Sequence, residues 1–118
     1  MDWSLDDDRP IWQQLTQQLT RRIITGVYPP GSRLPSVREL AAEAGVNPNT
    51  MQRALAQLDQ DGLAKADRTA GRLVTQDTEV LDRVRRGEAR SVIRQYLDAM
   101  AALGYSRERA AELLKEEF

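Results

Sequence analysis

Residues 36–62, SVRELAAEAGVNPNTMQRALAQLDQDG, constrain this chain more than any other stretch. Two helix-forming segments flank a three-residue gap, Gly45-Val46-Asn47. The first begins at Ser36, a good N-cap, and Glu39 stands three residues on as its capping-box partner. Its apolar side is Val37, Leu40, Ala41 and Ala44, and Gly45 is placed to end it. The second begins at Asn47, with Pro48 at the first helical position, where a missing N–H costs nothing. Met51, Leu55 and Leu58 then recur at i, i+4 and i+7, the spacing of one buried stripe. Two short helices joined by so tight a turn predict a helix-turn-helix. That motif leaves the amino end of its second helix projecting.

The flanks extend the pattern. Ile11, Leu15, Leu19 and Ile23 stand four apart and predict an amphipathic helix over 11–26. Gly26 closes it, and YPPG (28–31) is a turn or loop that no helix crosses. After Gly62, LAKA (63–66) and RLVT (72–75) alternate around DRTAG and predict a hairpin. Three helices followed by a hairpin describe a winged helix. Residues 78–118 return to helical spacing, with Val80, Val84, Val92, Ile93, Tyr96, Leu97, Met100 and Leu103 as a stripe and Gly104 as a stop. Gly87 falls inside this helix, at about 1 kcal/mol against Ala, and marks a candidate kink. Ser106 caps a last short helix carrying Ala110, Leu113 and Leu114.

Composition narrows the chemistry. With no cysteine, the chain has no disulfide, thiolate metal site or cysteine nucleophile. With no histidine, it lacks the commonest general base and metal ligand. Its two lysines, Lys65 and Lys115, lie in no recognisable catalytic setting. The expectation is no enzyme, no catalytic residues, no metal and no cofactor. No apolar run approaches bilayer length and no charged-then-apolar leader begins the chain, so a cytoplasmic protein is expected, with no membrane partner.

The net charge of −1 argues mildly against nucleic acid as a partner. Its distribution argues the other way. Residues 9–75 carry nine Arg or Lys against five Asp or Glu, whereas residues 76–118 carry eight against nine. The basic excess lies in the part that contains the helix-turn-helix.

That part also explains the polar residues at the start of the second helix. A cap needs one such residue, yet Asn47, Asn49, Thr50, Gln52 and Arg53 crowd there. The amino end of the second helix of a helix-turn-helix meets base edges in the major groove. Asn suits adenine, Arg suits guanine, and Thr offers a hydroxyl or a methyl. The end of the helix also attracts phosphate through its free N–H groups and dipole. Arg38 stands near the start of the preceding helix, which crosses the DNA backbone in this geometry. Arg33 lies just upstream, and Arg68 and Arg72 flank the wing tip. The alternative is a cap followed by a solvated face.

At this point the stretch from Pro10-Ile11-Trp12-Gln13-Gln14-Leu15 to about Val74 resembles the DNA-binding domain of the GntR family of bacterial transcription regulators. The family pattern is present as Pro30-Gly31, Leu34-Pro35-Ser36 and Arg38-Glu39-Leu40-Ala41. The VNPNT start of the second helix is similar to the YtrA-type branch, whose C-terminal part is two helices used for dimerisation. The resemblance implies DNA contacts from Arg38, Asn47, Asn49 and Thr50, with Gln52 and Arg53 following on the same helix and Ser36 in the matched motif. The wing departs from the pattern. Thr69-Ala70-Gly71-Arg72-Leu73 keeps only the second glycine, Gly71, and Leu73 stands where the family has an aromatic. Phosphate and an A·T-rich minor groove are both open as contacts for Arg68 and Arg72.

The expected fold class is mainly α with a small β-hairpin. A winged helix-turn-helix DNA-binding domain occupies residues 1–76, and a short two-helix C-terminal dimerisation region occupies 77–118. A helix of roughly 26 residues is ~39 Å long, more than a small domain covers. Its stripe either folds back as extra core or pairs with a second copy, and we favour the homodimer. Val84, Val92, Ile93, Tyr96, Leu97, Met100 and Leu103 are the expected interface. Two short helices leave little room for an effector pocket, and no residue marks one. The leading expectation is a dimeric, sequence-specific regulator of double-stranded DNA, a repressor, on a palindromic operator. The second is a winged-helix module for protein–protein contact. A third, the DNA-binding head of a fused enzyme, is disfavoured by the end of the chain at Phe118.

Overall fold

Local signals set most of the helix ends. The computed structural model describes residues 3–118. Its elements run α1 (Ile11–Ile24), α2 (Val37–Ala44), α3 (Pro48–Gln60), β1 (Ala64–Asp67), β2 (Gly71–Val74), α4 (Thr78–Ala102) and α5 (Arg107–Lys115). The mainly helical class with one small hairpin is as expected. α1 stops at Ile24, two residues short of Gly26, whose φ of +84° belongs to the turn that follows. α2 has the full capping box, with Glu39 N–H donating to Ser36 Oγ at 3.1 Å and Ser36 N–H donating to Glu39 Oε1 at 3.2 Å. Gly45 ends it in the left-handed region, at φ +71°.

The chain divides into two compact units, residues up to Arg83 and Val84–Phe118. In the first, α1 packs along α3, α2 packs on α3, and α3 meets β1. Leu15 and Leu19 of α1, Leu40 of α2, Met51, Leu55 and Leu58 of α3, and Leu63 are fully buried. Truncating any of these leucines to Ala costs about 2–5 kcal/mol. Thr16 donates from Oγ1 to the Trp12 carbonyl at 2.8 Å and also reaches the Ala54 carbonyl, at 3.4 Å, where α1 passes α3.

Two features of this unit have no periodic signal. Residues 31–34 are more than a turn, because they line up against β2. Gly31 N–H donates to the Val74 carbonyl, Val74 N–H to the Ser32 carbonyl and Leu34 N–H to the Arg72 carbonyl, each at 2.9 Å. Arg33 and Leu73 form an antiparallel bridge. The stretch before α1 is also tied down. The Gln14 amide accepts from Asp6 N–H and donates to the carbonyls of Asp6 and Arg9, at 2.8–2.9 Å. Trp3 is buried, with the Arg22 guanidinium 3.9 Å over its ring.

β1 and β2 pair antiparallel, Ala64 opposite Val74 and Asp67 opposite Gly71, each strand one residue closer to the turn than expected. α4 runs as one continuous helix through Gly87. In the second unit, Tyr96 Oη donates to the Ala110 carbonyl at 2.6 Å, and Ala110 is buried. Ser106 caps α5 by accepting from Arg109 N–H at 3.1 Å. Val92, Ile93, Leu103, Tyr105 and Leu114 remain exposed. Among the described residues, no helix is long and apolar enough to cross a membrane.

Candidate nucleic-acid interface

α3 has two unlike sides at its amino end. Met51, Ala54, Leu55 and Leu58 are buried, while Asn47, Pro48, Asn49, Gln52 and Arg53 are exposed and Thr50 is half-buried. Asn47 Oδ1 accepts from Asn49 N–H at 2.7 Å. That one bond satisfies the cap, so the side chains of Asn49 and Gln52 are surplus to helix formation. The left-handed Gly45 turns the chain sharply enough to bring Val46 N–H onto the Ala41 carbonyl at 3.0 Å. α3 therefore starts immediately past the end of α2. Arg38 lies in the first turn of α2, exposed, and makes no ion pair or hydrogen bond among the described residues.

Each remaining candidate has a definite position. Arg53 lies with its guanidinium 4.2 Å from the centroid of the Trp12 ring. Ser36 is engaged in the capping box. Arg33 is exposed, and its side chain lies across Gly71, where a Cβ would stand 3.0 Å from Arg33 Nε. Gly71 has φ +82°, a backbone conformation that favours glycine here. Arg68 is exposed at the tip of the hairpin. Arg72 is different: its Nε lies 3.0 Å from Asp59 Oδ1 and its Nη2 lies 3.1 Å from Asp59 Oδ2. Its guanidinium is taken up by a carboxylate at the end of α3, which joins the wing to that helix. Arg68 is thus the wing-tip arginine without an ion-pair partner among the described residues.

The turn behind Arg68 is built by Asp67. Its Oδ1 accepts from Thr69 N–H, Thr69 Oγ1 and Ala70 N–H, at 2.8–2.9 Å. The Ala70 and Thr69 backbone bonds, with the Thr69 hydroxyl, hold the Asp67 carboxyl below the usual carboxylate range.

A charged, exposed amino end on the second of two helices joined this way is the geometry by which helix-turn-helix proteins read DNA. Residues 12–74 match the family described as bacterial regulatory proteins, gntR family. The chain belongs to that family. It is a GntR-family transcription regulator with a DNA-binding helix-turn-helix, and its relatives and fold are those of regulators rather than enzymes. It is 31% identical over 115 residues to the HTH-type transcriptional regulator YhcF of Bacillus subtilis (strain 168), covering 98% of this chain and 95% of that protein. It is 36% identical over 70 residues to the HTH-type transcriptional repressor YtrA of the same organism, covering 59% of this chain and 54% of that one. Among solved structures, a GntR family transcriptional regulator from Listeria monocytogenes superposes with a TM-score of 0.83 at 32% identity, over 95% of this chain and 98% of its own.

Three features of this GntR regulator were missed in its sequence: the pairing of residues 31–34 with β2, the Trp12 platform under Arg53, and the Asp59 partner of Arg72. The motif around Pro30-Gly31 and Leu34-Pro35 hides the strand-like pairing behind residues that read as turn. The other two are contacts between side chains far apart in the chain, which no spacing rule detects.

Proposed function

We propose that this regulator is a repressor that binds a palindromic operator as a homodimer in the cytoplasm. Arg38, Asn47, Asn49, Thr50, Gln52 and Arg53 meet the major groove and its phosphates. Arg33, Ser36, Gly71, Arg68 and the Asp59-braced Arg72 form the adjoining backbone and wing contacts. The observation that carries this reading is the division of α3, with a capped polar end facing solvent and a stripe buried in the core. The named repressor among the relatives supports the sign of regulation. Membership of a family of DNA-binding regulators favours DNA over a protein partner.

Residues 1–76 serve as the DNA-binding domain and residues 77–118 pair two copies. Val92, Ile93 and Leu103 are 50%, 55% and 73% exposed in the single chain, which supports an apolar face made for a second subunit. Val84, Leu97 and Met100 are half-buried and complete that face. Tyr96 joins it with its hydroxyl already bonded within its own hairpin. Two-fold symmetry gives half-sites ~10 bp apart or a multiple of that. Footprinting on the intergenic DNA upstream of the gene tests the reading. A symmetric protected site, with reporter expression rising when the gene is deleted, is the expected result. Absence of any protected site at micromolar protein overturns it.

A further inference from the structure

The chain has a net charge of −1, yet residues 83–94 hold five arginines and a single acid, Glu88. Three of those arginines, Arg86, Arg90 and Arg94, stand four residues apart on α4. Four-residue steps keep side chains on one face, each about 6 Å further along the axis. All three are exposed, and none is in an ion pair among the described residues. Asp98, one further turn along, ends the stripe. Val92 and Tyr96 lie on the other side of the helix, whereas Ile93 and Leu97, three residues on from Arg90 and Arg94, stand beside the arginines. The basic face therefore flanks the proposed subunit contact.

We infer that Arg86, Arg90 and Arg94 form a second contact surface of this protein, one that binds the phosphate backbone of duplex DNA without reading its sequence. The inference rests on the reading that DNA is the partner, and it adds a site outside the helix-turn-helix and wing. Three guanidinium groups spread over about 12 Å match the scale of a strand that carries one phosphate per ~3.4 Å of axis. α4 contains arginine and no lysine, and the planar guanidinium fork suits bidentate contact with phosphate. Three cations on one exposed helix face repel one another, and a polyanion relieves that repulsion. The stripe therefore adds to the sequence-independent part of binding, which sets non-specific affinity and its salt dependence.

The test uses the full-length chain and a 30-bp duplex of random sequence, with binding followed by fluorescence anisotropy from low to moderate salt. The variants are the triple R86Q/R90Q/R94Q and the charge-keeping triple R86K/R90K/R94K. Circular dichroism and sedimentation confirm that both retain the helices and assembly of the wild type. The glutamine triple should bind more weakly at every salt concentration. Its plot of log affinity against log salt should flatten by roughly 0.9 for each phosphate that is no longer neutralised. The lysine triple should keep a slope near that of the wild type. If the single R90Q is used in place of a misfolded triple, a flattening of roughly 0.9 is expected. A wild type that binds duplex while the glutamine variants keep its slope overturns the stripe and leaves the helix-turn-helix reading intact. A wild type that binds no duplex at low salt overturns both.

Discussion

The guanidinium of Arg53 stacks 4.2 Å from the centre of the Trp12 ring, joining the exposed side of α3 to the start of α1. A cation–π pair at an exposed site contributes about 0.5–1 kcal/mol. The stack narrows the rotamers open to Arg53 before DNA arrives. Trp12→Ala should therefore weaken operator binding by about 2–5-fold, the range of that contribution. Adding Trp12→Ala to Arg53→Ala should then weaken it no further. Additive losses in that double-mutant cycle would show that the two residues act separately on DNA.

Substitutions at Arg38 and Asn49 would separate backbone contact from base contact at the proposed interface. Arg38→Ala should cost about 1–3 kcal/mol of operator affinity if the arginine reads a base, and should weaken all sequences evenly if it holds phosphate. Asn49→Ala should relax preference at one base pair, because Asn47 and not Asn49 provides the cap. Competition with single-base operator variants measures both effects. Unchanged affinity and preference would remove either residue from the interface.

The Asp59–Arg72 pair fastens the wing. Both carboxylate oxygens are engaged, and the Arg72 side chain is 15% exposed. Asp59→Asn should lower stability by on the order of 1 kcal/mol and increase amide exchange in β2. Chemical denaturation and exchange at Leu73 and Val74 provide the readout. A stability loss without faster exchange in β2 would place the role of Asp59 elsewhere.

The Asp67 turn should respond to acid. Its carboxyl is depressed in the folded protein, so its contribution is present above the ordinary value of ~3.9 and is lost as pH falls through the lower native value. The Thr69 and Ala70 amides should keep their protection at mild acidity and lose it only below that range. Asp67→Asn should remove this pH response at Thr69 and Ala70. A response that survives the substitution would assign it to another group.

Ile93→Asp should split the proposed dimer. Ile93 is 55% exposed in the single chain, so a charge there leaves the fold intact. Sedimentation should show monomer, and operator affinity should fall because a lone chain reaches only one half-site. A variant that still sediments as a dimer would exclude Ile93 from the interface.

The sequence by itself determined the helices and their ends. Ser36 acts on Glu39, Gly45 on the Ala41 and Ala42 carbonyls and Asn47 on Asn49, each within four residues, and the leucine spacing of α1 and α3 declares which face is buried. Such signals are local, and their partners are set by the period of the helix. The polar end of α3 was legible for the same reason. Tertiary structure alone decided that Arg33 lies over Gly71, that Arg72 is held by Asp59, that Arg53 rests on Trp12 and that Trp3 is buried beneath Arg22. Each of these joins residues whose separation along the chain follows no period. A guanidinium looks the same in sequence whether it faces a phosphate, a carboxylate or an indole. Which of them it meets depends on where the packed core places the elements that carry it.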